Sequence, residues 1–349
     1  YNNGVPFFKD FFLKKLGFSP SFQLAGYNVT RKTEAELVAG LDTLPVDVTY
    51  DLLQFEFGMA FKIINANHNM RAGFAYSSYA SKLSTFVIPS INRQVSASST
   101  NYFTGRDLSL AYSYSSFLPN KNDDINPIGR YFRLKYDYEI NDLNPELVID
   151  DQGNVTEAFE KAKFHRLEGD LLQGFGLFNN THSISLRLRG GTIFGPQQDN
   201  FFDFYATGFP NMKGYPFYAL GGNRYATANL TYRFPIATDL DFNFLQFYFD
   251  KLYFSVYGDI GNAWNGKATK LKDFRKDVGF ELRLLTYSYY VYPTAFTFNA
   301  SYGLDQFSNV FPSTTGANQT VTYGKEWQFY FTMLFGFDFL VEGVNKMRF

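Results

Sequence analysis

Few side chains in this chain of 349 residues could do chemistry, since it contains three histidines and no cysteine. His165 and His182 fall in neighbouring predicted strands, but no pair of carboxylates accompanies them at the spacing of a metal site. Asp123 and Asp124 fall in a predicted turn, where such residues usually shape the turn and meet solvent. No serine lies in a Gly-x-Ser-x-Gly elbow. We therefore expect no catalytic residue, no metal, no cofactor and no enzymatic activity.

The composition separates the remaining classes of protein. Aromatic residues make up 20% of the chain, and Lys and Arg total 32 against 33 Asp and Glu. The net charge of -1 lacks the basic excess that nucleic-acid binding requires, so no nucleic-acid partner is expected. The mean hydropathy is -0.22, and no uninterrupted apolar run approaches the roughly 20 residues of a transmembrane helix. A membrane span in this chain would have to be built from strands.

Apolar and polar side chains alternate along about twelve segments of about 10 to 15 residues, the length of a tilted barrel strand. Successive side chains of a strand point to opposite faces, so each segment has one apolar and one more polar face. In one segment, Phe132 and Leu134 alternate with Arg133 and Lys135. The predicted strands are 19–28, 50–64, 69–86, 105–117, 129–141, 163–177, 183–194, 222–234, 251–263, 276–286, 294–304 and 326–339.

The last of these segments has the largest apolar face. Its large apolar side chains are Trp327, Phe329, Phe331, Met333, Phe335, Phe337 and Phe339. The other face begins at Gln328 and ends at Asp338. In a soluble protein such a face needs a covering layer, whereas in an outer-membrane barrel lipid covers it and the polar face lines the lumen.

The connections between the segments alternate in length. The long ones are 29–48, 87–104, 141–162, 195–221, 264–275 and 305–325, and the shorter ones are 65–68, 118–128, 178–182 and 287–293. The connection 235–250 breaks the alternation. Outer-membrane barrels alternate short periplasmic turns with long outer loops. The sequence therefore predicts an all-β fold, a transmembrane antiparallel β-barrel, with a soluble all-β protein as the alternative.

If the apolar faces meet lipid, the lumen receives charged side chains of both signs. They are Arg133, Lys135, Asp137, Glu139, Arg166, Glu168, Asp170, Arg187, Arg189, Arg233, Asp259, Glu281 and Arg283. A mixed lumen favours ion pairs that hold a loop or plug, whereas an ion-selective pore tends to have one dominant sign. The alternative for each residue is a place in the wall of a water-filled channel.

Several motifs follow one another in the second half of the chain. They are Met212-Lys213-Gly214-Tyr215, Ala219-Leu220-Gly221-Gly222-Asn223-Arg224-Tyr225, Leu230-Thr231-Tyr232-Arg233-Phe234-Pro235, Val256-Tyr257-Gly258-Asp259-Ile260-Gly261-Asn262-Ala263-Trp264, Asp277-Val278-Gly279-Phe280-Glu281-Leu282-Arg283-Leu284 and Phe335-Gly336-Phe337-Asp338-Phe339. Over residues 205–339, this order resembles the BamA-type superfamily of outer-membrane assembly and secretion barrels, the bacterial surface antigen domain.

The resemblance implies an architecture. Residues 1–339 would form the carboxy-terminal part of a barrel of about sixteen strands, integral to the bacterial outer membrane. Residues 195–221 would be the sixth outer loop, folded into the lumen, and residues 340–349 a carboxy-terminal tail. About four strands and any periplasmic amino-terminal domain would precede this chain.

The resemblance also implies roles for particular residues. The loop-six motif is Met212, Lys213, Gly214 and Tyr215, its lumen partner is Asp259, the lumen network adds Arg233, Glu281 and Arg283, and the terminal gate strand presents Trp327, Phe329, Phe331, Phe335, Phe337 and Phe339. Lys213 stands where the family has arginine, and Thr231 where it has glutamate. We expect the Lys213 ammonium to contact the Asp259 carboxylate, because partial desolvation strengthens such a pair.

The implied function is to insert, translocate or display polypeptide clients at the outer membrane without covalent chemistry. The expected partners are outer-membrane lipids, including lipopolysaccharide, and a polypeptide client or other envelope subunits. A structural or anchoring barrel in a larger envelope complex is the second hypothesis. The third is a diffusion pore.

Overall fold

The computed structural model of the chain describes residues 20–39, 42–88, 93–118, 127–144, 148–149, 155–156, 159–196, 198–267, 269–289, 292–311 and 319–335. Its strands are β1 (Ser21–Ala39), β2 (Asp42–Lys62), β3 (His68–Leu83), β4 (Phe86–Ile88), β5 (Arg93–Val95), β6 (Ser98–Leu118), β7 (Ile128–Leu143), β8 (Val148–Ile149), β9 (Val155–Thr156), β10 (Glu160–Leu177), β11 (His182–Phe194), β12 (Phe204–Tyr205), β13 (Gly221–Gly222), β14 (Arg224–Ala237), β15 (Phe242–Phe244), β16 (Phe247–Trp264), β17 (Arg275–Ser288), β18 (Tyr292–Gly303), β19 (Phe307–Phe311), β20 (Gln319–Tyr323) and β21 (Trp327–Phe335). Short 3-10 turns lie at Asn200–Phe202 and Leu271–Asp273. No helix among the described residues is long and apolar enough to cross a membrane.

Thirteen strands form one sheet, in the order β1-β2-β3-β6-β7-β10-β11-β14-β16-β17-β18-β21, with β15 paired only to β16. Every pairing in this sheet is antiparallel. Each of the twelve predicted strands corresponds to one strand of this order, so the prediction of a large antiparallel all-β fold is confirmed. Within the described residues, β1 and β21 are the two edges of the sheet, and closure into a barrel stays a prediction.

Several predicted connections contain paired strands: β4 pairs with β5 largely within 87–104, β8 with β9 within 141–162 and β19 with β20 within 305–325. The predicted connection 29–48 was wrong, because β1 and β2 stay in register as far as the pair Ala39 and Asp42. A ladder satisfies backbone hydrogen bonds whether or not its side chains alternate, so pairing can continue where the apolar pattern ends. The connection 235–250 contains β15, and the rings of Phe242 and Phe249 stack there at 4.5 Å.

The large sheet has the reverse of the polarity of a soluble sheet. One face, called here the apolar face, exposes large side chains that include Leu134, Leu188, Leu230, Val256, Val278, Phe298, Phe329 and Phe331. The opposite, polar face buries Asp137, Asn141, Thr231, Ser255, Asp259, Asp277, Glu281, Thr297, Asn299 and Ser301. Phe331 is 69% exposed, whereas Asn299 is 0% exposed. Soluble proteins usually bury large apolar side chains and expose charged ones. This sheet has the opposite distribution, with large apolar side chains exposed on one face and charged side chains buried on the other.

Candidate functional site

The polar face is covered by a stretch of the chain itself, residues 198–222, called here the inner segment. The Arg166 guanidinium on β10 donates to the Phe202 carbonyl at 2.9 Å. At the other side, the Tyr330 hydroxyl on β21 donates to the Lys213 carbonyl at 3.0 Å. Five strands separate β10 from β21 in the order of the sheet. One short segment therefore contacts strands across much of the polar face.

The inner segment has a folded structure of its own. Thr207 and Met212 form an isolated bridge, and the Gly208 amide donates to the Met212 carbonyl at 2.8 Å. Gly208 has a φ of +81°, which favours glycine at this bend. The Thr207 hydroxyl donates to the Phe217 carbonyl at 2.9 Å and accepts from the Leu220 amide at 3.2 Å. These bonds satisfy the backbone of a segment that lies inside the protein.

Three of the four predicted motif residues, Met212, Gly214 and Tyr215, are buried within the inner segment. Met212 and Tyr215 are 1% and 0% exposed. The Gly214 amide donates to Oδ2 of Asp277 at 2.8 Å. The Tyr215 hydroxyl donates to the Lys276 carbonyl at 2.7 Å. Burial raises the pKa of Tyr215 to about 12, so the hydroxyl keeps the proton that it donates.

Lys213 lies on an aromatic ring and not on a carboxylate. Its ammonium is 3.9 Å from the centre of the Tyr257 ring. The predicted ion pair with Asp259 is absent from the described residues, and Asp259 instead accepts a hydrogen bond from the Asn229 side chain of β14. Burial lowers the pKa of the Lys213 ammonium, and the negative charges of Glu281, Asp259 and Asp277 oppose that shift. The Lys213 ammonium is therefore stabilised by the Tyr257 ring and by the negative charge of the nearby carboxylates.

Charged side chains along the polar face are paired across and along the strands. The pairs are Lys135 with Asp137, Arg166 with Glu139 at 2.9 Å, Arg187 with Asp170 at 2.6 Å, Arg189 with Asp170 at 3.7 Å, Arg283 with Glu281 at 2.8 Å and Arg233 with Glu281 at 3.5 Å. The predicted network of Arg233, Glu281 and Arg283 is thus one cluster centred on a single carboxylate. Arg189 also reaches the inner segment, through the Asn211 side chain at 2.5 Å.

The structure describes the predicted terminal strand as far as Phe335. Trp327, Phe329 and Phe331 are 51%, 64% and 69% exposed on the apolar face. Phe335 is the last residue of β21. Phe337, Phe339 and the predicted tail 340–349 lie outside the described residues.

Some contacts of the inner segment were not predicted. Asp277 binds the Gly214 amide, Tyr330 binds the Lys213 carbonyl, and the Asn309 side chain donates to the Ala219 carbonyl at 2.8 Å. Asp277 shares its alternation phase with Glu281 and Arg283, which is the signal that could have placed it on the polar face.

The histidines contact tyrosines and not one another. His165 and His182 lie towards opposite ends of the paired strands β10 and β11 and do not meet. Each histidine Nδ1 lies beside a tyrosine hydroxyl. The pairs are His68 with Tyr112 at 2.8 Å, His165 with Tyr136 at 2.7 Å and His182 with Tyr232 at 2.7 Å. Among the described residues, no cluster of three or more potential metal ligands occurs.

Comparison with family models and with curated proteins found no match. Comparison with solved structures matched CdiB from Acinetobacter baumannii at 15% sequence identity and a TM-score of 0.43, over 90% of this chain and 48% of that chain. This chain thus spans about half the length of that structure. An identity and a TM-score this low carry no argument about activity, so the role of the site follows from its own residues.

Proposed function

We propose that this chain is an integral β-barrel domain of the bacterial outer membrane, formed by the last strands of a larger barrel of the BamA-type superfamily. The observation that carries this proposal is the polarity of the large sheet. One face exposes Val256, Phe329 and Phe331, while the other buries Asp277 and Glu281. Lipid around the outside and the inner segment within the lumen satisfy both faces.

The aromatic contacts of the apolar face support the same placement. His165 on β10 stacks on Tyr138 and accepts or donates a hydrogen bond with Tyr136. Farther along β10, Leu177 pairs with His182. At about 3.3 Å per residue and a tilt of about 40°, the stretch from His165 to Leu177 crosses about 30 Å, close to the thickness of a hydrocarbon core. Aromatic rings at both ends are typical of barrel girdles.

Single cysteines test this placement, because the chain has 0 cysteines of its own. Phe329→Cys and Phe331→Cys would carry a fluorophore on the apolar face of β21, and Gln328→Cys and Thr332→Cys would carry it on the polar face. In vesicles with nitroxide-labelled lipid tails, we expect quenching at the first two positions only. Equal quenching on both faces would contradict the membrane placement.

We further propose that the barrel inserts, translocates or displays polypeptides without covalent chemistry. The order of the motifs from Met212 to Phe339 supports this role through its resemblance to assembly and secretion barrels. Among the described residues β21 is an edge of the sheet, and the backbone of an edge strand can pair with a strand from another chain, which supports this role. Depletion from living cells tests the role: a general fall in outer-membrane proteins is expected. Unchanged levels of those proteins would overturn it.

The attachment of the inner segment favours a second candidate, an anchoring barrel in an envelope complex. Arg189, Asp277, Asn309 and Tyr330 all bind the segment, on four different elements. A segment fixed at so many points suits a barrel that does not rearrange. In the same depletion experiment, loss of one complex with other outer-membrane proteins unchanged supports the anchor.

Conductance in planar bilayers separates both candidates from a diffusion pore. The inner segment lies across the polar face, where a channel would run. We expect the intact protein to conduct little. Steady ion conductance with the inner segment in place would support the pore.

A further inference from the structure

A groove of about 540 Å³ lies on the apolar face of β6, β7 and β10, close to their short-connection ends. Its lining consists of Tyr112, Tyr114, Arg130, Phe132, Leu171 and Gln173. The register places them on one face, since Phe132 lies opposite both Tyr114 and Leu171. Arg130 pairs with Gln173 at the end near the connections. The groove therefore has a cationic end at Arg130. Its apolar end is formed by the next residue pair on the same face, Phe132 and Leu171, farther from the connections.

Arg130 is exposed and is positioned by a neutral group. Its Nε donates to Oε1 of Gln173 at 2.8 Å, and the Gln173 amide nitrogen donates to the Gly129 carbonyl at 3.1 Å. No ion pair found in the described part of the chain involves Arg130. On the same face, by contrast, Arg106 pairs with Asp142 at 3.4 Å. The guanidinium of Arg130 thus keeps its charge and its Nη groups for an external anion.

Two tyrosines form the wall beside the arginine. The Tyr112 hydroxyl is 2.8 Å from Nδ1 of His68, and the His68 and Tyr114 rings are 4.8 Å apart. These contacts hold both rings in place at the end of the strands. Tyrosine is favoured at the level of lipid headgroups, because its ring is apolar and its hydroxyl is polar.

We propose that this groove binds an anionic phospholipid, with Arg130 on the headgroup phosphate and Phe132 and Leu171 against an acyl chain. This inference rests on the proposed membrane placement, which puts the short-connection ends at the periplasmic leaflet. A guanidinium can bind a phosphate through two parallel hydrogen bonds, and Gln173 already fixes its plane. A free phosphate ion would leave the apolar end of the groove uncovered, whereas a phospholipid covers both ends.

Native mass spectrometry of the full chain, released from phosphatidylcholine vesicles that contain phosphatidylglycerol, tests the site. Arg130→Gln is expected to lower the affinity for phosphatidylglycerol by about fivefold, the contribution of one basic residue near a membrane surface. Arg106→Gln is the matched control, because Arg106 already has a carboxylate partner. We expect this control to retain the lipid as the unchanged chain does.

Three outcomes would overturn the inference. Arg130→Gln could bind phosphatidylglycerol as tightly as the unchanged chain, or Arg106→Gln could lose as much affinity, which would indicate general attraction to a basic surface. Excess inorganic phosphate could displace the lipid, which would indicate a simple anion site. Flotation of the variants with vesicles separates this inference from the proposed function. If the chains float but bind the lipid equally, only the inference fails, and if no chain floats, the membrane placement fails as well.

Discussion

The backbone amide of Gly214 donates a hydrogen bond to Oδ2 of Asp277 at 2.8 Å, and this bond attaches the inner segment to β17. A Cβ added to Gly214 would lie 2.5 Å from Cβ of Asp277 and 2.9 Å from the backbone nitrogen of Gly303. Only glycine fits between these two strands. The tip of the inner segment is therefore fixed by the close approach of its backbone at Gly214, next to the motif cation Lys213.

Gly214→Ala is expected to displace the tip of the inner segment. The added methyl group has no room, and overpacking of this kind costs about 1–3 kcal/mol of unfolding free energy. Guanidinium unfolding in detergent measures the cost, and protease cleavage within residues 198–222 reports the displacement. Gly169→Ala is the control, because a Cβ at that position would have no heavy atom of the described residues within 4 Å, apart from its neighbours in the chain. Equal stability of the two variants would contradict the close approach.

Glu281→Gln is expected to destabilise the polar face strongly. The Glu281 carboxylate receives Arg283 at 2.8 Å and Arg233 at 3.5 Å, and all three side chains are at most 12% exposed. Removing one partner of a buried pair leaves an uncompensated charge and costs about 3–5 kcal/mol. Thermal and guanidinium unfolding in detergent measure this cost.

Asp142→Asn is the matched control for that cluster. It breaks the pair of Asp142 with Arg106, whose side chains are 28% and 46% exposed. Exposed pairs contribute about 0–1 kcal/mol, so little change is expected. If both substitutions cost the same, the cluster around Glu281 is not a buried network in solution.

Lys213→Met is expected to cost about 2 kcal/mol of unfolding free energy, the contribution of a desolvated cation–π contact. Its ammonium lies 3.9 Å from the centre of the Tyr257 ring, and methionine removes the charge while keeping an unbranched, slightly shorter side chain. Lys213→Arg is the comparison, because a guanidinium can stack on the same ring. A methionine variant as stable as the unchanged chain would show that the cation contributes nothing there.

The strands of the large sheet could be predicted because each has to separate an apolar face from a polar one, and a period of two records that separation. The extension of β1 to Ala39 could not, because its sequence from Thr30 to Glu36 has no apolar alternation and its pairing depends only on the neighbouring strand. Pairing through backbone hydrogen bonds does not require an alternating side-chain pattern, so the sequence does not reveal it. Sequence patterns therefore predicted the positions of the strands better than their lengths.

The partner of the motif could not be predicted for a related reason. Asp259 and Asp277 lie directly opposite each other on β16 and β17, both on the polar face. Alternation places both carboxylates correctly but does not say which one the tip reaches. The Asn229 side chain binds Asp259, and the Gly214 amide binds Asp277. Because the two carboxylates are at the same depth along their strands, the lateral position of the tip across the sheet decides between them.

Asp203→Asn is expected to remove a pH dependence from the inner segment. Burial, and then the negative charge of Asp199, raises the pKa of Asp203 from 3.8 to about 6. The folded chain therefore holds this proton to higher pH than the unfolded chain, and its stability falls as pH rises from 3.8 to about 6. Because Asp203 is partly exposed, we expect asparagine to stabilise the chain at neutral pH by only about 1 kcal/mol. Thermal unfolding at pH 4 and pH 7 measures this difference, and an unchanged pH dependence would contradict it.

Tyr330→Phe tests whether the last strand and the inner segment stabilise each other. The Tyr330 hydroxyl donates to the Lys213 carbonyl at 3.0 Å, and its ring lies 5.9 Å from that of Phe209. Loss of this hydrogen bond is expected to cost about 1 kcal/mol of unfolding free energy. In a chain that already carries Gly214→Ala, the displaced tip no longer offers the carbonyl, so the same substitution should cost much less. A double-mutant cycle should then give a coupling of at least about 0.5 kcal/mol, and simple additivity would mean that β21 is stable independently of the inner segment.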